Sequence, residues 1–305
     1  MMNGVLVICK ERGYTSHDVV AKLRSITKQR KIGHTGTLDP EAEGVLPVCL
    51  GHATKLCGML TDKDKTYEAE LCLGITTDTQ DRTGRVLAAA DSRVTREALL
   101  NAADRFTGNL MQIPPMYSAV RVGGKKLYEL ARQGKEVERE ARPVTIRRIE
   151  LLSYECDDSG YVRTARLRIA CSKGTYIRTL CHDIGAFLGC GGCMGELLRT
   201  RAGMFTLEDS LTLTEVQRLA DEGILESRLI PVDSMFREYP ALKALPGHEK
   251  QLNAGNPAAC DWLTADGSKD KTQAGRYRLY GADGAFLGIY EYTGSAGYRP
   301  VKLFL

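Results

Sequence analysis

Residues 31–56, KIGHTGTLDPEAEGVLPVCLGHATKL, hold the strongest candidate for chemistry in the chain. Gly33, Gly36, Gly44 and Gly51 punctuate the stretch, and glycine tolerates positive φ and close backbone approach. Asp39 stands at its centre, followed by Pro40, and a residue before proline is pushed out of the helical region. The pattern predicts a carboxylate on an extended or turned loop, anchored by the apolar run 45–50, which reads as a buried strand. An ionised carboxylate so placed serves as nucleophile or base. The plainer alternative is a turn-forming Asp that bonds nearby backbone N–H groups.

Cations and aromatics gather in two further places. Lys22, Arg24, Lys28, Arg30 and Lys31 lead into the Asp39 loop with no acidic residue from 22 to 31. From 121 to 148, nine Lys and Arg stand against four Glu, an excess of five, larger than the net charge of +4 on the whole chain. Tyr117 and Tyr128 lie within or beside that stretch. Basic residues with interleaved aromatics suit RNA, through phosphate contacts and base stacking. The alternative is an ordinary charged helix with Glu–Lys pairs.

The elements that position these residues follow from periodicity. Residues 3–9 read as a first strand, followed by Lys10, either near the site or solvated. Ser16 is placed as N-cap of a helix that buries Val19, Val20, Leu23 and Ile26. Along 65–73, Tyr67, Ala69, Leu71 and Leu73 share one face of a strand, and Thr66, Glu68 and Glu70 the other. Thr95 caps a helix burying Leu99, Leu100, Ala103 and Phe106, stopped by Gly108. Residues 161–171 form another strand, with Leu167, Ile169 and Cys171 opposite Arg166 and Arg168. A helix then begins near Tyr176, with a stripe of Ile177, Leu180, Cys181, Ile184, Phe187 and Leu188. Arg178 in its first turn opposes the helix dipole, so it needs another partner. Pro231, Pro240, Pro246 and Pro257 mark a change of texture, with a boundary near Tyr239. Beyond it, 276–280 and 285–290 read as a hairpin across Gly-Ala-Asp-Gly, and 301–305 as a last strand.

At 305 residues the chain has room for roughly two domains, and 43% hydrophobic residues suffice for a real core. No apolar run reaches the length of a membrane span, and the N-terminus does not read as a signal peptide. Most of the ten cysteines sit inside apolar runs, which fits buried thiols in a reducing cytoplasm. Cys190-Gly-Gly-Cys193 is either a redox or metal half-site or a turn next to a helix. The five histidines show no paired ligand spacing, so no metal site is expected.

GHTGTLDP, GVLP and LG-ATK resemble the catalytic motif of the TruB family of tRNA pseudouridine synthases. KTYEAELCL, KGTYIRTL and LLRTRAG are similar to further family motifs in the same order, over about three quarters of the chain. The resemblance implies Asp39 as the catalytic nucleophile, Tyr67 stacked on the target base, and Arg178 as the ion-pair partner of Asp39. Tyr176 and Leu197 would line the base pocket, and His34 would fill the vacated stack or hydrogen bond within its loop. Residues 112–146 are similar to the family's RNA-gripping insertion, with Arg142, Arg147 and Arg148 expected on phosphates. Two positions depart from the motifs: Glu43 where the family has Thr, and Leu198 where it has Arg.

The fold so implied is α+β, a mixed, largely antiparallel sheet with flanking helices and a small C-terminal β-barrel-like domain of PUA type. The expected domains are 1–238, with the insertion at about 112–146, and 239–305. The implied reaction is isomerisation of uridine 55 in the T loop of tRNA by a cytoplasmic enzyme expected to be a monomer; tRNA is the expected partner, through its T arm, and no cofactor, nucleotide or membrane is expected. Two alternatives stand beside it. One is a non-catalytic tRNA-binding or folding protein on the same scaffold. The other is an Asp-dependent glycosidase, which would need Glu41 or Glu43 as a second carboxylic acid.

Overall fold

The first two apolar runs become neighbouring strands in the computed structural model, which describes residues 1–265 and 273–305. Strand β1 (Gly4–Lys10) and the short β2 (Ile32–His34) both pair antiparallel with β3 (Glu43–Leu50). Between β1 and β2 runs α1 (Ser16–Thr27), which buries Val19, Val20 and Leu23. Its N-cap is Thr15, one residue before the expected Ser16. Asp18 lies three residues after Thr15, so those two close a reciprocal capping box. Ser16 is left buried, and its hydroxyl accepts the Leu38 backbone N–H at 2.9 Å. A residue read as a cap thus ties the helix to the loop of Asp39.

After α2 (Cys57–Thr61), β4 (Lys65–Leu73) shows the predicted alternation, with Tyr67, Ala69 and Leu71 buried. A hairpin, β5 (Ile75–Thr77) and β6 (Val86–Ala89), precedes α3 (Arg96–Arg105), which Thr95 caps as expected. Then come β7 (Gly108–Gln112) and the hairpin β8 (Arg121–Val122) and β9 (Lys125–Lys126). Gly123 and Gly124 join β8 to β9 with φ of +57° and +83°, the positive values that a primed two-residue turn requires. The basic stretch continues through α4 (Leu127–Arg132) into β10 (Arg142–Cys156), followed by β11 (Val162–Cys171) and α5 (Ile177–Phe187). Next are β12 (Gly192–Ala202), β13 (Phe205–Thr206) and α6 (Leu213–Asp221).

The main sheet runs β1-β3-β12-β4-β11-β10-β7, with β2 and β13 at its margins. Every pairing is antiparallel except β12 with β3, which matches the expected mixed α+β architecture. Tyr67, Leu71, Leu167, Ile169, Leu180 and Ile184 form one core between the sheet and α5. On the opposite face Glu68 sits between Arg166 at 3.4 Å and Arg168 at 3.0 Å, so the polar stripes of β4 and β11 neutralise each other. The α5 stripe is shorter than its spacing suggests. Phe187 is exposed and meets Phe106 edge to face at 5.9 Å. Cys190 to Cys193 turn the chain from α5 into β12.

The C-terminal segment forms a second sheet. Its elements are β14 (Ala241–Ala244), α7 (Glu249–Asn253), β15 (Leu263–Ala265), β16 (Arg276–Tyr280), β17 (Phe286–Tyr292) and β18 (Tyr298–Leu303). The strand order is β15-β14-β16-β17-β18, around a core of Leu242, Leu252, Leu279 and Tyr290. Phe236, Phe286 and Phe304 join it to Val5 and Val7 of the main sheet.

In the parallel contact of β12 with β3, the approach of Arg199 to Gly44 leaves no room for a side chain. A Cβ on Gly44 would stand 2.2 Å from the Arg199 carbonyl oxygen, at a φ of +103°. Gly44→Ala should therefore destabilise the protein by about 2–4 kcal/mol, read from the urea midpoint. Gly13→Ala is the control, because Gly13 also has positive φ but meets open space. Equal shifts in the two variants would show that the close strand approach carries no cost.

Candidate active site

Asp39 lies on the loop between β2 and β3, and that loop is tethered from several sides. The Pro40 carbonyl accepts the Gly13 N–H at 2.9 Å and the Lys10 Nζ at 3.0 Å. Lys10 also donates to the carbonyls of Tyr14 at 2.7 Å and Glu11 at 3.0 Å. It is fully buried, which excludes the solvated position left open by the sequence. Burial pushes its pKa down, against the pull of the Glu43, Asp39 and Glu41 carboxylates. The Asp39 carbonyl accepts from Ala42, closing a turn behind the carboxylate.

The Asp39 side chain is 44% exposed, and its Oδ2 stands 3.0 Å from Nε of Arg178, whose own side chain is only 6% exposed. Arg178 is the unusual cation in the first turn of α5, and its partners are tertiary. Nη1 donates to the Thr79 carbonyl at 3.1 Å and Nη2 to the Tyr117 carbonyl at 2.8 Å. The Asp81 carboxylate lies 3.8 Å from Nη1. With its outer nitrogens held, the guanidinium presents Nε to Asp39 in a fixed direction.

Tyr67 on β4 lies opposite Ile169 of β11 and Arg199 of β12. Burial pushes its phenol up in pKa, and the Arg199 guanidinium opposes that rise. Tyr176 is held through its backbone: its N–H donates to Gln112 Oε1 at 2.8 Å, and its carbonyl accepts from Gln112 Nε2 at 3.0 Å. Leu197 lies opposite Ala69. Asp39, Tyr67, Tyr176, Arg178, Leu197 and Arg142 all line one cleft of about 630 Å³.

Three sequence-predicted residues lie outside that lining. His34 is half-buried at the start of the loop, edge to face with His17 at 5.3 Å. Burial, His17 and Arg199 push its pKa down. Arg147 pairs with Asp64 at 3.2 Å, and Arg148 lies 3.6 Å from Glu150. The two departures from the motifs meet in space. Leu198 is the register partner of Glu43 across the β12–β3 contact, and Glu43 lies 3.7 Å from Arg12.

Sequence reasoning missed Lys65 and Arg199, which line the same cleft, and Gln112, which clamps Tyr176. Lys65 is buried, donates to the Lys63 carbonyl at 2.6 Å, and has its pKa lowered to about 8 by burial and by Arg199. Periodicity gave no signal for either cation. The only hint was the place of Arg199 within LLRTRAG.

Residues 24–177 match the TruB family pseudouridylate synthase N-terminal domain, and residues 178–237 match the tRNA pseudouridylate synthase B C-terminal domain. The chain is 50% identical to tRNA pseudouridine synthase B of Lachnoclostridium phytofermentans, with 100% of both chains covered. It is 43% identical to the protein of that name from Stutzerimonas stutzeri, covering 99% of this chain and 95% of the relative. Among solved structures, it is similar to a chain in a crystal structure of a Cbf5-Nop10-Gar1 complex, with a TM-score of 0.70 and 25% identity. That match covers 100% of this chain and 85% of the other. Matched domain models in chain order and relatives aligned from end to end leave one assignment: the chain belongs to the TruB family of pseudouridylate synthases.

Proposed function

We propose that the chain isomerises uridine to pseudouridine in tRNA, with uridine 55 of the T loop as target and Asp39 as the catalytic carboxylate. The observation that carries this reading is the Asp39–Arg178 pair, half open to solvent on one side and buried on the other. The reaction breaks the C–N glycosidic bond and rejoins the base through carbon. It therefore needs a carboxylate near the sugar, a surface for the base, and a group to move a proton. In this reading Asp39 acts at the ribose, Tyr67 and Tyr176 face the base, and Leu197 closes the pocket. A base inside a folded loop reaches such a cleft by flipping out of its stack.

The T arm of tRNA is held by the basic insertion at about 112–146 and by Arg142, with Arg147, Arg148 and His34 as outer contacts. In this proposal residues 1–238 form the catalytic domain and 239–305 a PUA-like domain; residues 266–272 of the latter lie outside the described residues. The enzyme acts as a monomer in the cytoplasm without a nucleotide cofactor. Among the described residues no helix is long and apolar enough to cross a membrane. The glycosidase alternative draws no support from the cleft, whose lining includes neither Glu41 nor Glu43. A non-catalytic binder has no evident use for a carboxylate facing a polyanion.

Asp39→Asn should abolish tritium release from tRNA carrying 5-tritiated uridine while leaving tRNA affinity within about twofold, because the amide keeps the shape and loses the charge. Activity within about tenfold of the wild type, a barrier change of only ~1.4 kcal/mol, would overturn the assignment. Mapping of the modified position tests the choice of uridine.

Charge removal tests the RNA surface. Neutralising Arg142, Arg147 and Arg148 one at a time should flatten the dependence of log affinity on log salt by roughly 0.7–0.9 for each side chain that contacts a phosphate. An unchanged slope in a folded variant would assign that arginine to its intramolecular partner or to solvent.

A further inference from the structure

We propose that Arg199 is the positioning residue for Tyr67, fixing the phenol by its buried guanidinium and coupling β4 to the Asp39 loop. The proposal rests on the proposed function, in which Tyr67 faces the base and a group must move a proton; here that group is the Tyr67 hydroxyl.

Arg199 is 1% exposed, and among the described residues it has no ion-pair partner. A guanidinium withdrawn from water is costly, so its position needs compensating contacts. Two are backbone carbonyls. Nε donates to Val45 on β3 at 2.7 Å, and Nη2 donates to Gly36, three residues before Asp39, at 3.2 Å. The third neighbour is the Tyr67 phenol across the β12–β4 register. Gly36 lies against the guanidinium: a Cβ there would stand 3.7 Å from Nη1, at ordinary contact distance. One side chain thus touches both strands flanking the cleft and the loop that carries the carboxylate.

The charges around Tyr67 give Arg199 a specific role. Asp39 from its loop and the Cys171 thiol from β11 both disfavour a phenolate, as does burial. Arg199 from β12 favours it, and Lys65, two residues before Tyr67 on β4, lies beside Arg199 at Gly36. In the proton step the Tyr67 hydroxyl first loses its proton to solvent. The phenolate oxygen then takes the proton from carbon 5 of the rejoined base. The C–H electron pair forms the double bond between carbons 5 and 6, the π pair between carbon 6 and N1 moves to N1, which takes a proton from solvent, and the neutral phenol is restored. Arg199 stabilises the phenolate and holds its oxygen in place.

The test uses the full chain, tRNA with 5-tritiated uridine, and ring-labelled ¹³C tyrosine, with Tyr67→Phe assigning the Tyr67 signal. Arg199→Gln should lower the single-turnover rate by about tenfold or more. It should leave tRNA affinity within about twofold and move both the pH rise of the rate and the Tyr67 titration upward by about one unit. Arg199→Lys, which keeps the charge, should restore the titration and part of the rate. Should the Gln variant fail to fold, the Lys variant carries the test, because a shifted titration there would overturn the assignment. A folded Gln variant with an unmoved titration would overturn it as well. The two readings fail separately. If Tyr67→Phe turns over like the wild type, the role of Tyr67 itself falls. If Tyr67→Phe is inactive and the Gln variant titrates normally, only the role of Arg199 falls.

Discussion

Arg178 carries a positive charge into a place that water barely reaches, and three separate segments of the chain converge to hold it. A guanidinium can be buried only when its donors are met, because an unmet buried charge costs several kcal/mol. Here the donors are met by the Asp39 loop, by the Thr79 carbonyl, by the Tyr117 carbonyl just before the basic stretch 121–148, and more distantly by Asp81. Satisfying one side chain therefore brings the Asp39 loop, the segment after β5, the segment of Tyr117 and the start of α5 to one point. The apolar stripe of α5 presses that helix onto β4 and β12, so the guanidinium arrives at the cleft with little freedom.

Cations held by backbone carbonyls recur around the same loop. Lys10 bonds three carbonyls, Arg199 two, and Lys65 caps the chain after α2 through Thr61 and Lys63. Such contacts fix the backbone without neutralising the charge. The cleft thus has a positive floor around one carboxylate, although the net charge of the chain is only +4. A polyanion responds to that local field more than to net charge, because fields focus in clefts with low-dielectric walls.

The second sheet is attached by aromatic packing. Phe286 and Phe304 stack at 5.6 Å, and Phe236 lies 5.8 Å from Phe304. These rings pack with Val5 and Val7 of β1 and Val45 and Cys49 of β3, in a cluster separate from the core shared with α5. The contact stabilises the strands that flank the Asp39 loop through burial of large apolar area.

Local rules determined most of the scaffold. Alternation along β4 and β11 marked the buried faces, and Thr95 marked a helix start. The carboxylate on its glycine loop and the misplaced cation at the start of α5 were also legible, because each breaks or uses a local preference. Periodicity tells which face is buried but not which distant group meets a given donor. Only the tertiary structure decided that Lys10 is buried, that Ser16 holds Leu38 while Thr15 caps the helix, and that Arg147 pairs with Asp64, 83 residues away. It alone placed Arg199 beside Tyr67, since that contact depends on the register of β12 between β3 and β4. Register is a long-range outcome of packing, set by which faces must be buried together, and no local spacing encodes it.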